Sequence, residues 1–148
     1  MLINRPIEIL LMEDSPSDAL LTKEAFGECN VRANIYVVRD GVEGIKFLRK
    51  EEGYSNAVKP DLILLDLNMP RMNGKEVLSK IKQDEDMKLI PVIVLTTSQA
   101  NQDVIDCHEL HANSYVLKPI NYVDFLNVVK NIVEYWLNIV QLPNTYLY

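Results

Sequence analysis

Leu62-Ile-Leu-Leu-Asp66-Leu-Asn-Met-Pro70 begins with four consecutive apolar residues and becomes polar at Asp66. A strand that is buried on both faces contains no alternating polar residues, so this run predicts a central strand of a parallel sheet. The run from Val92 to Leu95 is also apolar without alternation and predicts a second central strand. Because both faces of these strands are apolar, helices should cover both faces of the sheet.

Three further apolar runs and five helical patterns surround this pair of strands. We predict strands at residues 7–12, 35–38, 62–65, 92–95 and 115–117, and helices at residues 17–26, 42–50, 74–82, 102–110 and 122–140. This alternation predicts an α/β fold with a doubly wound, five-stranded parallel sheet. The last helix carries an apolar stripe from Phe125 to Leu137 that should face the sheet and extends past it.

The length and composition favour one globular domain. The chain has 148 residues, of which 48% are hydrophobic and 24% charged, as is typical of a single folded domain. We expect this domain to occupy residues 1–140. Residues 141–148 should form a C-terminal tail in which Pro143 ends the helix, without a separate effector domain.

The net charge and the N-terminal residues indicate which partners and which cellular location to expect. A formal net charge of −6 argues against direct nucleic acid binding, which requires Lys and Arg to neutralise phosphates. The N-terminal residues lack the long apolar run of a signal peptide, and we find no membrane-spanning run, so a cytoplasmic protein without a membrane partner is expected. Cys29 and Cys107 have no metal or redox spacing and should be free thiols.

Polar residues follow or end four of the predicted strands. The first strand is followed by Glu13-Asp14, the third by Asp66 and the fifth by Lys118, while Thr96 ends the fourth. The carboxyl ends of parallel strands meet at one edge, where such sheets bind ligands. Converging carboxylates require a cation, and oxygen ligands with room for water favour Mg²⁺. Asp66 could then attack phosphorus and form an aspartyl phosphate, with Lys118 and Thr96 contacting the phosphoryl oxygens.

These motifs resemble the receiver domains of two-component response regulators over about residues 7–136. The resemblance rests on Glu13-Asp14, Leu64-Leu-Asp66-Leu-Asn68-Met-Pro70 with Gly74, Pro91-Val-Ile-Val-Leu-Thr96, and Tyr115-Val-Leu-Lys118-Pro119. It implies the flavodoxin-like (CheY-like) receiver fold, with strand order 2-1-3-4-5. The ending with Trp136 and Leu142-Pro143 is also similar to single-domain regulators paired with cyanobacterial phytochromes and related sensor kinases.

The resemblance implies a role for each residue of the phosphoacceptor and metal site. Asp66 matches the phosphoacceptor, and Asp14 matches the direct Mg²⁺ ligand. Glu13 matches the acidic partner that acts through water, where aspartate is more frequent in the family. Asn68 matches the residue whose backbone carbonyl binds the metal.

The resemblance also implies a switch. Thr96 matches the hydroxyl that turns toward the phosphoryl group, Lys118 the cation that contacts it, and Tyr115 the aromatic residue that swings inward when Thr96 moves. The Lys118–Pro119 bond is expected to be cis. Thr97 departs from the pattern, because the family most often has alanine or glycine at this position, which governs access to the phosphoryl group.

The function implied is that of a stand-alone response regulator. A histidine kinase would supply the phosphoryl group, and the face formed by helix 4, strand 5 and helix 5 would signal to a downstream protein or phosphotransfer partner. A homodimer through this face and the C-terminal extension is a further hypothesis, favoured by the aromatic residues Tyr135 and Trp136. The chain is not expected to be an enzyme beyond slow self-dephosphorylation.

Two alternatives remain open from the sequence. A haloacid-dehalogenase-like phosphatase also uses an Asp, Mg²⁺, a hydroxyl and a Lys, but its Asp-x-Asp motif usually follows the first motif strand, and here Asn68 replaces the second Asp. A receiver-like scaffold that takes no phosphate is supported only by the bulk of Thr97. His108 and His111 are better explained as surface residues than as metal ligands.

Overall fold

The computed structural model describes residues 5–139, in which strands and helices alternate along the chain. The strands are β1 (Ile7–Met12), β2 (Ala33–Val38), β3 (Leu62–Leu65), β4 (Val92–Thr96) and β5 (Ser114–Leu117). The helices are α1 (Pro16–Glu28), α2 (Gly41–Arg49), α3 (Gly74–Gln83), α4 (Asn101–Glu109) and α5 (Tyr122–Ile132), and α5 is followed by a π-helical segment (Val133–Ile139).

The five strands form one parallel sheet in the order β2-β1-β3-β4-β5. The predicted fold class and strand order are therefore confirmed. The predicted element positions agree to within about two residues, except at the last helix. β2 begins at Ala33 rather than residue 35, and β4 ends at Thr96, one residue beyond the apolar run at 92–95.

The last helix differs from the prediction. The α-helix ends at Ile132, and the chain continues to Ile139 as a π-helix. An apolar stripe indicates which side of a helix is buried. Over only two turns, however, the stripe does not distinguish an α-helix, in which hydrogen bonds join residues four apart, from a π-helix, in which they join residues five apart. Residue 140 and the predicted tail at 141–148, including Leu142 and Pro143, lie outside the described residues.

The core consists of two layers, one on each face of the sheet. In β3, Leu62 and Leu64 point toward α1 and α5, whereas Ile63 and Leu65 point toward α2, α3 and α4, and all four are fully buried. This explains why the strand contains no polar residue. On the α1 and α5 side, the predicted stripe of α5 packs against the sheet through Phe125.

Four helices begin with a side chain that caps the backbone. Ser15, Asp40, Asn73 and Asn121 accept a hydrogen bond from the backbone N–H three residues later, in α1, α2, α3 and α5 respectively. Such caps satisfy one of the free N–H groups at a helix start. Each cap lies in the loop after a strand, so the caps also hold the loops at the carboxyl edge of the sheet.

Cys29 and Cys107 are free thiols, as predicted. Between residues 5 and 139, the helices are too short or too polar to cross a membrane.

Candidate functional site

The sheet hydrogen bonding continues past the ends of the strands and holds the polar residues in place. The backbone N–H of Asp66 donates to the carbonyl of Met12 over 3.1 Å, and that of Lys118 donates to the carbonyl of Thr96 over 2.7 Å. Asp66 and Lys118 are therefore fixed by the sheet rather than by flexible loops. Both side chains lie at its carboxyl edge, as the strand ends predicted.

The Lys118 ammonium lies among three carboxylates. Its Nζ atom is 2.5 Å from Glu13 Oε1, 3.1 Å from Asp18 Oδ2 and 3.7 Å from Asp66 Oδ2. The Lys118 and Glu13 side chains are only 6% and 4% exposed. The structure thus brings Glu13, Asp66 and Lys118 together, and it adds Asp18, which the sequence analysis missed.

The charges of this cluster do not balance, because one ammonium faces three carboxylates. The pKa of Glu13 is raised to about 7, chiefly because burial penalises its charged form; the hydrogen bond from Lys118 opposes this rise and Asp66 adds to it. Burial lowers the pKa of Lys118, but Glu13, Asp66 and Asp18 outweigh this effect and the net shift is upward. The lysine therefore stays charged, while Glu13 is close to taking up a proton at neutral pH.

The predicted metal ligands are only partly assembled. Asp14 and Asn68 are exposed, and the backbone N–H of Asn68 donates to Asp66 Oδ1 over 3.3 Å. Among residues 5–139, no three His, Cys, Asp or Glu side chains are grouped so as to hold a metal ion. The donor set of hard oxygens and the excess of negative charge nevertheless fit a divalent cation.

The predicted switch residues are linked through Ser98. The Thr96 side chain is fully buried, and its hydroxyl oxygen accepts a hydrogen bond of 3.4 Å from the Ser98 N–H. The Tyr115 hydroxyl donates to the Ser98 carbonyl over 2.9 Å. Ser98 therefore contacts both residues, and the sequence contained no signal for this role.

The prediction of a cis bond before Pro119 is wrong for this structure. All peptide bonds within residues 5–139 are trans, including Lys118–Pro119. The two isomers of a bond before proline differ by only about 0.5–1 kcal/mol in favour of trans, so the sequence alone does not determine the isomer. The direction of the Lys118 side chain is set instead by two kinds of hydrogen bond. Its backbone N–H donates to the Thr96 carbonyl, and its ammonium donates to the carboxylates of Glu13 and Asp18.

His108 and His111 are both exposed, as predicted. At the last helix, Tyr135 is 54% exposed, whereas Trp136 packs partly against the core. The predicted contact surface at these aromatic residues stays a prediction.

Gly74 allows the loop after Asp66 to fold back against α3. Its N–H donates to the carbonyl of Leu67 over 3.0 Å. A Cβ atom at residue 74 would lie 2.6 Å from both the Asp66 carbonyl oxygen and the Leu67 Cα atom. Because these are backbone atoms, they cannot yield as a flexible side chain could. Gly74 therefore keeps the Asp66 backbone in position.

Gly74→Ala is expected to destabilise the protein by about 1–3 kcal/mol, since overpacking forces the backbone to shift. The free energy of unfolding should be measured by urea denaturation. Gly27→Ala is the matched control, because a Cβ atom there meets nothing within 4 Å. Gly27 lies inside α1, where alanine is favoured over glycine by up to about 1 kcal/mol, so the control should be neutral or stabilising. Equal stability of the two variants would contradict the proposed role of Gly74.

Comparison with known proteins identifies the class to which this fold and edge site belong. The family of response regulator receiver domains matches residues 9–130. The chain therefore belongs to this family, whose members are signalling proteins rather than typical enzymes. This assignment argues against the dehalogenase-like phosphatase alternative.

Individual relatives define the similarity further. The response regulator Rcp1 of Synechocystis sp. is 44% identical over 140 residues, which cover 95% of this chain and 95% of Rcp1. The crystal structure of the Mn(2+)-bound form of Rcp1 matches with a TM-score of 0.88 over 93% of this chain and 99% of that one, again at 44% identity. The phosphorylated cyanobacterial phytochrome response regulator RcpA is 43% identical and matches with a TM-score of 0.90, over 93% of this chain and 99% of that one. The predicted similarity to regulators of cyanobacterial phytochromes is thereby confirmed.

Proposed function

We propose that this protein is a stand-alone response regulator that accepts a phosphoryl group on Asp66 from a sensor histidine kinase. The observation that carries the proposal is the position of the Asp66 carboxylate, beside Glu13 and the Lys118 ammonium at the carboxyl edge of the sheet. The stand-alone arrangement is supported by Rcp1, of which the similarity covers 95%. The similarity to RcpA, a phytochrome response regulator crystallised in phosphorylated form, supports both the modification and a photoreceptor kinase as donor.

The proposed transfer forms one bond and breaks another. An Asp66 carboxylate oxygen bonds to the phosphorus of a phosphohistidine, the P–N bond breaks, and the imidazole nitrogen leaves with the electron pair. Lys118 provides positive charge for the phosphoryl oxygens, and the Thr96 hydroxyl donates a hydrogen bond to them. Transfer in the reverse direction, to another phosphotransfer protein, uses the same groups.

A bound Mg²⁺ would neutralise the carboxylates and the incoming phosphoryl group. Asp14, Asp66 and the Asn68 carbonyl would bind it directly, and Glu13 would act through water. The Mn(2+)-bound form of Rcp1 supports a divalent cation at this type of site. Within this chain, the excess of carboxylates over ammonium groups around Lys118 supports the same proposal.

The output is proposed to leave through α4, β5 and α5. A phosphoryl group on Asp66 would draw the Thr96 hydroxyl toward it and change the contact with Ser98, to which Tyr115 is bonded. Ile105 on α4 and Leu117 on β5 are about half-exposed apolar residues of this face. This face would contact a downstream protein, a phosphotransfer partner or a second copy, the last also through the C-terminal extension. A cytoplasmic location stays a prediction.

The proposal is tested by the intact mass of the purified protein after incubation with acetyl phosphate or phosphoramidate. We expect a gain of one phosphoryl group that requires Mg²⁺ and disappears when the ion is chelated. The absence of any gain, with Mg²⁺ present and the protein folded, would favour the scaffold alternative.

Thr97→Ala is expected to increase the rate of phosphoryl uptake severalfold and to shorten the life of the phosphorylated form. Thr97 is exposed and follows the buried Thr96, so a smaller side chain opens the path to the phosphorus without changing a reacting group. Intact mass measured during labelling gives the rate of phosphoryl uptake, and intact mass measured after removal of the donor gives the life of the phosphorylated form. Thr97→Val keeps the volume and should behave as the wild type; if it is as fast as Thr97→Ala, steric access is not the cause.

A further inference from the structure

Asp18 lies in the first turn of α1 but does not make the contact that is usual at this position. Ser15 caps the helix, and its hydroxyl accepts a hydrogen bond from the Asp18 N–H over 3.2 Å. An acidic residue three positions after such a cap commonly reaches back to the N–H of the capping residue. Here the Ser15 N–H faces Glu13 Oε2 at 3.4 Å, so the Asp18 carboxylate remains available for another partner.

That partner is Lys118, which is 100 residues away in sequence. Asp18 Oδ2 accepts a hydrogen bond of 3.1 Å from its ammonium, although the Asp18 side chain is 39% exposed and could point to solvent. Asp18 belongs to α1, whereas Glu13 follows β1. The ammonium is thus held by carboxylates from two different elements.

When hydrogen bonds hold two of the three N–H groups of the Lys118 ammonium, the direction of the third is fixed as well. A lysine ammonium has three N–H donors on a flexible stem, so a single carboxylate leaves it free to rotate. Glu13 and Asp18 take two of these donors, at 2.5 Å and 3.1 Å. Asp66 provides the third carboxylate around the same nitrogen, with its Oδ2 atom 3.7 Å from Lys118 Nζ.

We infer that Asp18 is a positioning residue for phosphoryl transfer, because it holds the Lys118 ammonium with one N–H directed at Asp66. The inference rests on the proposed function, in which Asp66 is the acceptor. It deepens that function by adding a residue that touches neither the phosphorus nor the attacking oxygen. Glu13 alone cannot do this, since one of its oxygens faces Ser15 and the other holds a single N–H.

Asp18→Asn tests the inference, because asparagine keeps the size and the backbone bond to Ser15 but removes the charge. Phosphoryl uptake from phosphoramidate should slow by about three- to tenfold, the effect of weakening a partly exposed charged hydrogen bond. Asp18→Glu should recover part of the rate. The matched control is Asp124→Asn, since Asp124 occupies the same position in α5 after its cap, Asn121. The control should react at the wild-type rate, and both proteins should unfold at the wild-type temperature.

The second measurement does not depend on phosphorylation. Lysine residues are modified with an amine-reactive ester, and peptides are quantified by mass spectrometry. Lys118 should react faster in Asp18→Asn than in the wild type, because the ester reacts only with the neutral amine and the loss of the Asp18 contact makes the Lys118 ammonium easier to deprotonate. The exposed Lys130 should react equally in both. This change is specific to Lys118, and a purely structural role of Asp18 would not produce it.

The outcomes separate the inference from the proposed function. A wild type that takes up no phosphoryl group would refute the proposed function, whatever the lysine reactivity. A labelled wild type with equal rates and equal Lys118 reactivity in Asp18→Asn would refute the inference alone. Faster uptake in Asp18→Asn would also refute it, since Asp18 would then hinder the transfer by repelling the anionic donor.

Discussion

Asp66→Asn is expected to abolish phosphoryl incorporation under conditions that label the wild type. The amide of asparagine has no negatively charged oxygen to attack phosphorus, so the covalent bond cannot form. The fold should persist, because asparagine has nearly the same size and the backbone N–H still donates to the Met12 carbonyl. Intact mass after incubation with phosphoramidate and Mg²⁺ is the measurement.

Asp40→Asn is the matched control for this variant. Asp40 follows β2 much as Asp66 follows β3, and the two residues are 8% and 9% exposed. Its side chain caps α2, a role that asparagine fills equally well. The control should be labelled like the wild type. Labelling that persists in Asp66→Asn would mean that another residue is the acceptor.

Lys118→Met is expected to reduce the rate of phosphoryl uptake by about 10²–10³-fold. This is the usual effect of removing one preorganised charged or hydrogen-bonding group that stabilises a transition state. The charge on the phosphoryl oxygens would then lack the protein's own cation, while Asp66 itself is unchanged. Rates should be measured by intact mass over long incubations, so that slow labelling is still detected.

The same change should lower stability. Methionine leaves Glu13 buried without its positive partner, and breaking a buried ion pair in this way costs up to about 3–5 kcal/mol. At pH values at which Glu13 takes up a proton, the loss of stability should be smaller than this range. Lys46→Met is the control, because Lys46 also pairs with two carboxylates, Glu43 and Glu52, and neither of them is a partner of Lys118. If both variants are labelled at the same rate, Lys118 has no special role in the transfer.

The central part of the fold and the edge site could be predicted because they depend on local sequence. β3 and β4 lie between two layers of helices, and this burial excludes polar residues from the strands. The first polar residue after β3 therefore marks the edge of the sheet. The same reasoning placed Asp66 and Lys118 together, since parallel strands end on the same side.

The contacts that the sequence did not predict depend on tertiary structure. Asp18 occupies a position where an acidic residue is ordinary at a helix start, so nothing in the sequence distinguishes it from a cap. Its pairing with Lys118 is determined by how closely α1 packs against the sheet. The bonds of Ser98 depend in the same way on where Tyr115 lies. The π-helical segment and the trans bond before Pro119 reflect small differences in energy that apolar patterns do not encode.

Ser98 connects the carboxyl edge of the sheet to a neighbouring strand and to the next helix. Its N–H faces Thr96, its carbonyl accepts from Tyr115, and its hydroxyl donates to Asp103 at the start of α4. A displacement of Thr96 therefore reaches a neighbouring strand and the next helix through one amino acid. Such a short connection needs no deformation of the rigid sheet, and a change in β5 or α4 caused by a binding partner returns to Thr96 by the same route. Partner binding and occupancy of the edge site should thus change each other's equilibrium by the same factor, as thermodynamic linkage requires.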